Sequence, residues 1–201
     1  MSAIYCRVMK KTDEHAAVDC IVHAFIQSEP MTAFLQIDAE DFSKFVKALF
    51  AHIVEDELSI VACDEQHNII GVRLVGEYAH SSFLPPPESM RAIIALLRSL
   101  YPVPIPSQRC IHLKMLGVNA HVQNQGVANK LLLATFEHAK NKGYDYALVE
   151  ATSAISQHIF INKFQFNVLN KVHYQTFQYE NKAIFARLPD VSHCALLGKF
   201  L

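Results

Sequence analysis

The sequence has no surplus of charge of either sign: its formal net charge is −1 over 201 residues. Without a basic excess to neutralise a phosphate backbone, nucleic-acid binding is not expected. No apolar run is long enough to span a bilayer, because Lys, Arg or His interrupts each of the longest ones. The stretch Met1-Ser2-Ala3-Ile4-Tyr5-Cys6-Arg7 lacks a basic start followed by an apolar segment, so neither a signal peptide nor a membrane partner is expected. A soluble, cytoplasmic protein is the default expectation. Cys6, Cys20, Cys63, Cys110 and Cys194 are odd in number, widely spaced and without a C-x-x-C pair. They read as buried thiols in a reducing compartment, not as a disulfide frame or zinc site. Cys20 and His23 would share a helix face, but no second pair follows at ligand spacing and no H-E-x-x-H occurs, so no metal is expected.

What is present is enough for a folded core. Hydrophobic residues make up 51% and charged residues 18%, which excludes a disordered chain. Ile4 to Met9 alternates as a first strand. Asp13-Glu14 opens a helical pattern with Ala17, Val18, Ile21, Val22 and Phe25 on one face, ending before Pro30. Asp41 to Val54 reads as a second amphipathic helix. Leu58 to Cys63 and Ile69 to Gly76 flank the turn formers Asp64-Glu65-Gln66-His67-Asn68, which predicts an antiparallel hairpin.

Ser81 to Ser107 is a long excursion with a helical stretch from Glu88 to Leu100 between prolines. It is read as a packed surface insertion, a plausible lid or acceptor wall. Further elements are a strand from Cys110 to Val118, a helix from Gly126 to Lys142 stopped by Gly143, and a strand from Tyr146 to Ala151. A short helix from Ile155 to Lys163 and strands from Val168 to Tyr174 and His193 to Leu201 close the chain. With no internal repeat and no linker, residues 1–201 are read as a single α/β domain with a mixed sheet.

The densest signal lies where a strand runs into a helix. Leu116-Gly117-Val118 ends the strand, and Gln123-Asn124-Gln125-Gly126-Val127-Ala128-Asn129 opens the long helix. A helix N-terminus offers unpaired backbone N–H groups and a favourable dipole to a phosphate, and Gly126 and Ala128 let it approach. The loop is neither a G-x-G-x-x-G dinucleotide turn nor a P-loop, since no G-K-S/T follows. Gln123-x-x-Gly126-x-Ala128 resembles the acetyl-CoA signature of the GNAT acyltransferases, Q/R-x-x-G-x-G/A. Ser28-Glu29-Pro30-Met31 resembles the E-P-L/M element of the insect-type arylalkylamine N-acetyltransferases, which include dopamine N-acetyltransferase. Ala151-Thr152-Ser153-Ala154-Ile155-Ser156-Gln157 is similar to the T/S-S-x-x-S segment of that subfamily, and the resemblance runs from Ile4 to the end.

The resemblance implies the GNAT fold, a mixed and mostly antiparallel sheet flanked by helices, with acetyl-CoA as co-substrate and a small amine as acceptor. It assigns Glu29 as a general base acting through water, Ser156 as proton donor to the CoA thiolate, and Thr152 as a helper. A backbone N–H near Leu116 to Val118 would meet the thioester carbonyl oxygen. CoA contacts are expected from Leu116, Gly117, Val118, Gln123, Asn124, Gln125, Gly126, Val127, Ala128, Asn129 and Phe160. Two departures stand out: Gln123 replaces the commoner Arg, and Gln165 stands where relatives carry glycine before Phe166.

Taken alone, Glu29 reads as an exposed residue at a helix end, and Thr152 and Ser156 as helix caps. Phe160, Phe164, Phe166, Tyr174 and Phe177 would either line an aromatic amine pocket or fill the core. Other readings are a GNAT enzyme for polyamines or longer acyl-CoA, a protein acceptor, and a non-catalytic CoA-binding module. A polyamine site would show extra acidic residues, and Glu55-Asp56-Glu57 is the one dense cluster. Nothing in the sequence sets an oligomeric state.

Overall fold

The computed structural model describes residues 4–80, 85–101 and 103–201. Residues 81–84 and Pro102, part of the excursion read from Ser81 to Ser107, lie outside the described residues, as do residues 1–3. The elements run β1 (Tyr5–Val8), α1 (Glu14–Ser28), α2 (Pro30–Phe34), α3 (Ala39–Ile53), β2 (Ile60–Cys63), β3 (Ile69–Glu77), α4 (Arg91–Ser99) and β4 (Cys110–Val118). They continue with α5 (Val127–Asn141), β5 (Tyr146–Ala151), α6 (Ala154–His158), β6 (Asn167–His173) and β7 (His193–Phe200).

The seven strands form one sheet in the order β1-β2-β3-β4-β5-β7-β6. Every pairing is antiparallel except β4 with β5. This is the mixed, mostly antiparallel sheet that the sequence predicts. Apolar runs lie on central strands because both faces are covered. Val72, Leu74 and Leu148 join the core under α1, α3 and α4, whereas Val75, Leu113 and Val149 join Phe136, Phe160 and Phe164 on the α5 side. The helix of the excursion belongs to the first of these cores: Met90, Ile93, Leu96 and Leu100 are buried in it.

Two features open the sheet at its centre. A register shift between Leu74 and Val75 leaves Lys114 as the extra residue of β4. The parallel pairing of β4 with β5 ends at Leu113 opposite Val149, although β4 continues to Val118. Beyond that point the strands part, and the backbone of Leu116, Gly117 and Val118 pairs only with β3. Helix α1 closes one side of the gap. A side chain at Gly117 would meet Cys20 O at 3.0 Å and Ile21 Cα at 3.1 Å, so that close approach requires glycine.

One element was not anticipated. Pro30 ends α1, as the sequence predicts, but it also opens α2. A proline at the first helical position gives up an N–H that has no intrahelical partner there. The chain therefore turns sharply at Glu29 rather than running into a loop. The short helix after β5 also differs in kind: it begins as α6 and continues as a π-helical turn over Ile159–Lys163.

Candidate active site

Glu29 stands between α1 and α2. Its backbone N–H donates to Phe25 O at 2.9 Å, completing α1. Its side chain caps α2, where Oε2 accepts from Thr32 N at 2.7 Å and from Thr32 Oγ1 at 2.6 Å. Such a cap contributes about 1 kcal/mol. The other oxygen, Oε1, is buried and has no hydrogen-bond partner among the described residues. An unmet buried acceptor costs about 1–3 kcal/mol, so the fold holds this oxygen ready for a donor it does not itself supply.

Two cavities meet at this carboxylate. One, of about 170 Å³, lies in the gap between β4 and β5 and is lined by Glu29, Arg73, Leu116, Thr152, Ser156 and Phe160, among others. The second, of about 100 Å³, is walled by Phe25, Met31, Phe42 and Phe45 on one side and by Met90, Ile93, Ile94 and Leu97 on the other. Phe25 and Phe42 stack at 5.6 Å between centroids. Both cavities share Phe25, Glu29, Lys114, Glu150 and Thr152. The aromatic wall is thus built from α1 and α3. Phe160, Phe164, Phe166 and Tyr174 are core residues, and Phe177 packs against the first core.

Thr152 and Ser156 both line the gap. The helix cap is Ser153, not Thr152. Ser153 Oγ accepts from Ser156 N at 3.0 Å, and Ser156 Oγ accepts from Ser153 N at 3.1 Å. This reciprocal box fixes the Ser156 hydroxyl, which donates to Ser153 O at 2.9 Å. Turning that O–H towards the cavity would give up one neutral hydrogen bond, about 1 kcal/mol. Tyr174, fully buried, donates its hydroxyl to Thr152 O at 2.8 Å and so pins the turn that carries Thr152.

A third cavity, of about 380 Å³, lies at the N-terminus of α5 and takes in Val118, Gln123, Asn124, Gly126, Val127, Ala128 and Asn129. Gly126 caps the helix at φ +79°, and a side-chain carbon there would meet nothing within 4 Å. The left-handed backbone favours glycine, and the empty space lies over the free N–H groups of the helix. Lys163 and Ile159 of the π-helical turn complete this wall, two residues not anticipated from the loop motif. Leu116 and Phe160 line the gap instead, Gly117 packs against α1, and Gln125 is exposed with Nε2 at 3.4 Å from His121 O.

The floor of the gap holds charges that the sequence reading passed over. His112 and Lys114 come from β4, Glu150 from β5 and Arg73 from β3. Glu150 Oε2 lies 2.7 Å from His112 Nε2, and Oε1 accepts from Tyr101 OH at 2.7 Å. Lys114 Nζ lies 3.2 Å from His112 Nδ1. These partners assign a neutral His112 that donates from Nε2 and accepts at Nδ1. Burial pushes the His112 pKa below its ordinary range, outweighing Glu150. Burial pushes Glu150 up, but the hydrogen bonds from His112 and Tyr101 and the charge of Lys114 outweigh it and hold the carboxyl well below its ordinary range. Burial also lowers Lys114. A charged residue inside a strand that is otherwise apolar, as in Val72-Arg73-Leu74 or Leu113-Lys114-Met115, is the signal that would have found them.

Among the described residues there is no group of His, Cys, Asp or Glu that could hold a metal ion, and no helix is long and apolar enough to cross a membrane. Cys20 is buried, and His23 Nδ1 lies 2.8 Å from Asp19 O.

Comparison with known proteins places this geometry. The C-terminal condensation domain of Ebony, solved with β-alanyl-dopamine, superposes with a TM-score of 0.84 at 18% identity, covering 100% of both chains. Arylalkylamine N-acetyltransferase 2 of Aedes aegypti gives 0.82 at 19% identity over 98% of each chain. The polyamine N-acetyltransferase of Drosophila melanogaster gives 0.77 at 13% identity over 99% of this chain and 100% of that one. At these identities the likeness is one of fold. No curated protein matches the sequence. The acetyltransferase (GNAT) family model matches residues 25–164, from the last turn of α1 through α5 to the turn after α6, and the chain belongs to that family of N-acetyltransferases.

Proposed function

We propose that the protein transfers an acetyl group from acetyl-CoA to a small primary amine with an apolar, aromatic body, an arylalkylamine. The observation that carries this reading is the buried, unpartnered Oε1 of Glu29 where the apolar pocket meets the gap between β4 and β5. An amine whose ring lies among Phe25, Phe42, Phe45 and Ile93 would bring its nitrogen to that oxygen, directly or through one water. Glu29 takes the amine proton, since an alkylamine is mostly protonated near neutral pH. The nitrogen attacks the thioester carbonyl carbon, the C–N bond forms and the C–S bond breaks. The backbone at the open edge of Leu116 to Val118 supplies the N–H for the developing oxyanion. Ser156 gives its hydroxyl proton to the thiolate and recovers one from the attacking nitrogen as the amide forms, and Thr152 orients the acceptor. The α5 N-terminus receives the CoA phosphates.

The pocket is poorly suited to a polyamine. Its lining carboxylates are Glu29 and Glu150, both oxygens of Glu150 are taken by His112 and Tyr101, and Lys114 opposes a second cation. Residues 1–201 work as one domain in which α4 supplies the outer acceptor wall. Five unpaired cysteines, four of them buried, support a reducing, cytoplasmic setting.

The test is thiol release from acetyl-CoA with tyramine, dopamine, tryptamine and serotonin against spermidine and agmatine. Turnover at least about tenfold better on the ring-bearing amines is expected, since burying an aromatic body contributes about 1.5–3 kcal/mol. The reverse order would move the reading to polyamines. Silence on every amine with acetyl-CoA still bound would remove it.

Gly126→Asp should weaken acetyl-CoA binding by about tenfold or more, because a carboxylate would enter the space reserved for phosphate. Gly126→Asn, similar in shape and also tolerated in left-handed backbone, should cost clearly less. Equal losses in a calorimetric titration would attribute the effect to backbone strain and not to charge.

A further inference from the structure

Among the described residues, Arg73 is the member of the buried charged group whose Nε and Nη2 meet no hydrogen-bond partner. It is 2% exposed, and both of these atoms are buried. Its guanidinium lies 5.8 Å above the Phe160 ring. Glu150 is the carboxylate whose charge reaches it, but both oxygens of Glu150 are already engaged by Tyr101 and His112. A guanidinium buried without a partner is costly, and its cost falls when an anion arrives. Nε and Nη2 form the edge of the guanidinium that forks around a carboxylate.

The position of Arg73 says which ligand brings that anion. Arg73 lines the gap beside Leu116, Ser156 and Phe160, and it does not line the apolar pocket of Met31, Phe42 and Ile93. It therefore stands on the acyl-donor side. Resting on the donor and acceptor sides assigned above, we propose that this site accepts acyl-CoA donors whose acyl chain ends in a carboxylate, of the malonyl or succinyl class, with Arg73 holding that carboxylate. The chemistry is otherwise unchanged. The amine nitrogen bonds to the thioester carbonyl carbon, the C–S bond breaks, the thiolate takes a proton, and the remote carboxylate leaves intact on the amide.

The experiment measures binding and needs no acceptor. Two non-reacting CoA thioethers, S-propyl and S-(2-carboxyethyl), differ only in the terminal carboxylate and are titrated calorimetrically into the full chain. The carboxylate form should bind about 10–100-fold more tightly to the wild type, the range for charge-assisted hydrogen bonds. Arg73→Met should erase that difference while leaving S-propyl binding within about twofold, and Arg73→Lys should keep part of it. Equal binding of the two thioethers by the wild type would overturn the assignment and leave the donor site standing, and that comparison needs no folded variant. Failure of both to bind would remove the donor reading and the proposal with it. A carboxylate preference among acceptors alone, such as tyrosine over tyramine, would place Arg73 on the acceptor side and also overturn it.

Discussion

Glu29→Gln should bind acetyl-CoA as the wild type does and turn over about 10²–10⁴-fold more slowly at saturating amine, the usual contribution of a positioned general base. The substitution keeps the shape of the side chain and an oxygen that still accepts from Thr32, so the cap on α2 and the angle between α1 and α2 should survive. What disappears is the capacity of the second oxygen to take a proton. The proposed phosphate end of the acetyl-CoA site is the cavity at the N-terminus of α5, which Glu29 does not line, so affinity measured by calorimetry should stay within about twofold, as expected of independent sites. The loss should appear in kcat and in kcat/KM together, the pattern of a group that acts in the transition state. Unchanged turnover would sink the base assignment, and a parallel loss of acetyl-CoA binding would show that the variant had disturbed the fold instead.

How much of this was legible in the sequence differs from element to element. β4 and β5 read at their true limits because each is a continuous apolar run bounded by turn residues, as buried central strands are. α5 read well because Gly126 and Gly143 bracket it at positive φ. α2 did not, since Pro30 was weighed only as a stop, and a helix of five residues has too little periodicity to announce itself. The turn at Ile159–Lys163 has π geometry that no side-chain spacing signals.

The candidate site was legible where its residues are contiguous and hidden where it is assembled by pairing. Gln123 to Asn129 and Ser28 to Met31 are contiguous, and the structure gathers most of them around cavities. The cluster of late aromatics could be read as pocket or as core, and the structure makes it core. Phe164 and Phe166 pack on Phe136 of α5 and Phe160 packs on Phe166, while the aromatic wall of the apolar cavity comes from Phe25, Phe42 and Phe45 on the opposite face. Which face a strand or helix presents depends on topology, and late position in the chain carries no such information. Arg73, His112, Lys114 and Glu150 are far apart in sequence and meet only through the pairings of β3 with β4 and β4 with β5. Their register, including the extra residue at Lys114, comes from the folded sheet.

That group carries the largest expected effect on stability. Glu150→Gln should destabilise the fold by about 3–5 kcal/mol at neutral pH, because it removes the countercharge of Lys114 and Arg73 and leaves them buried. In a chain of this size that is a fall in Tm of roughly 10 °C. Replacing Glu150 and His112 together by leucine should cost less than the two single changes summed, since the pair would then go as a unit.

The same cluster sets the sign of the pH dependence. Below its ordinary pKa of 6.5, His112 in the unfolded chain takes a proton that the folded protein refuses, because burial holds the neutral form. Stability should therefore begin to fall as pH drops below 6.5. Glu150 adds to this lower down: held well below its ordinary 4.5 in the fold, it contributes stability above 4.5 that is lost as pH falls from there. Thermal unfolding followed from pH 8 to about pH 2.5 should show Tm flat at first and then declining, with the decline near pH 6 absent in His112→Gln and the steeper part below 4.5 absent in Glu150→Gln. A wild-type Tm that rises on acidification would contradict both the neutral histidine and the ionised glutamate at the floor of the gap.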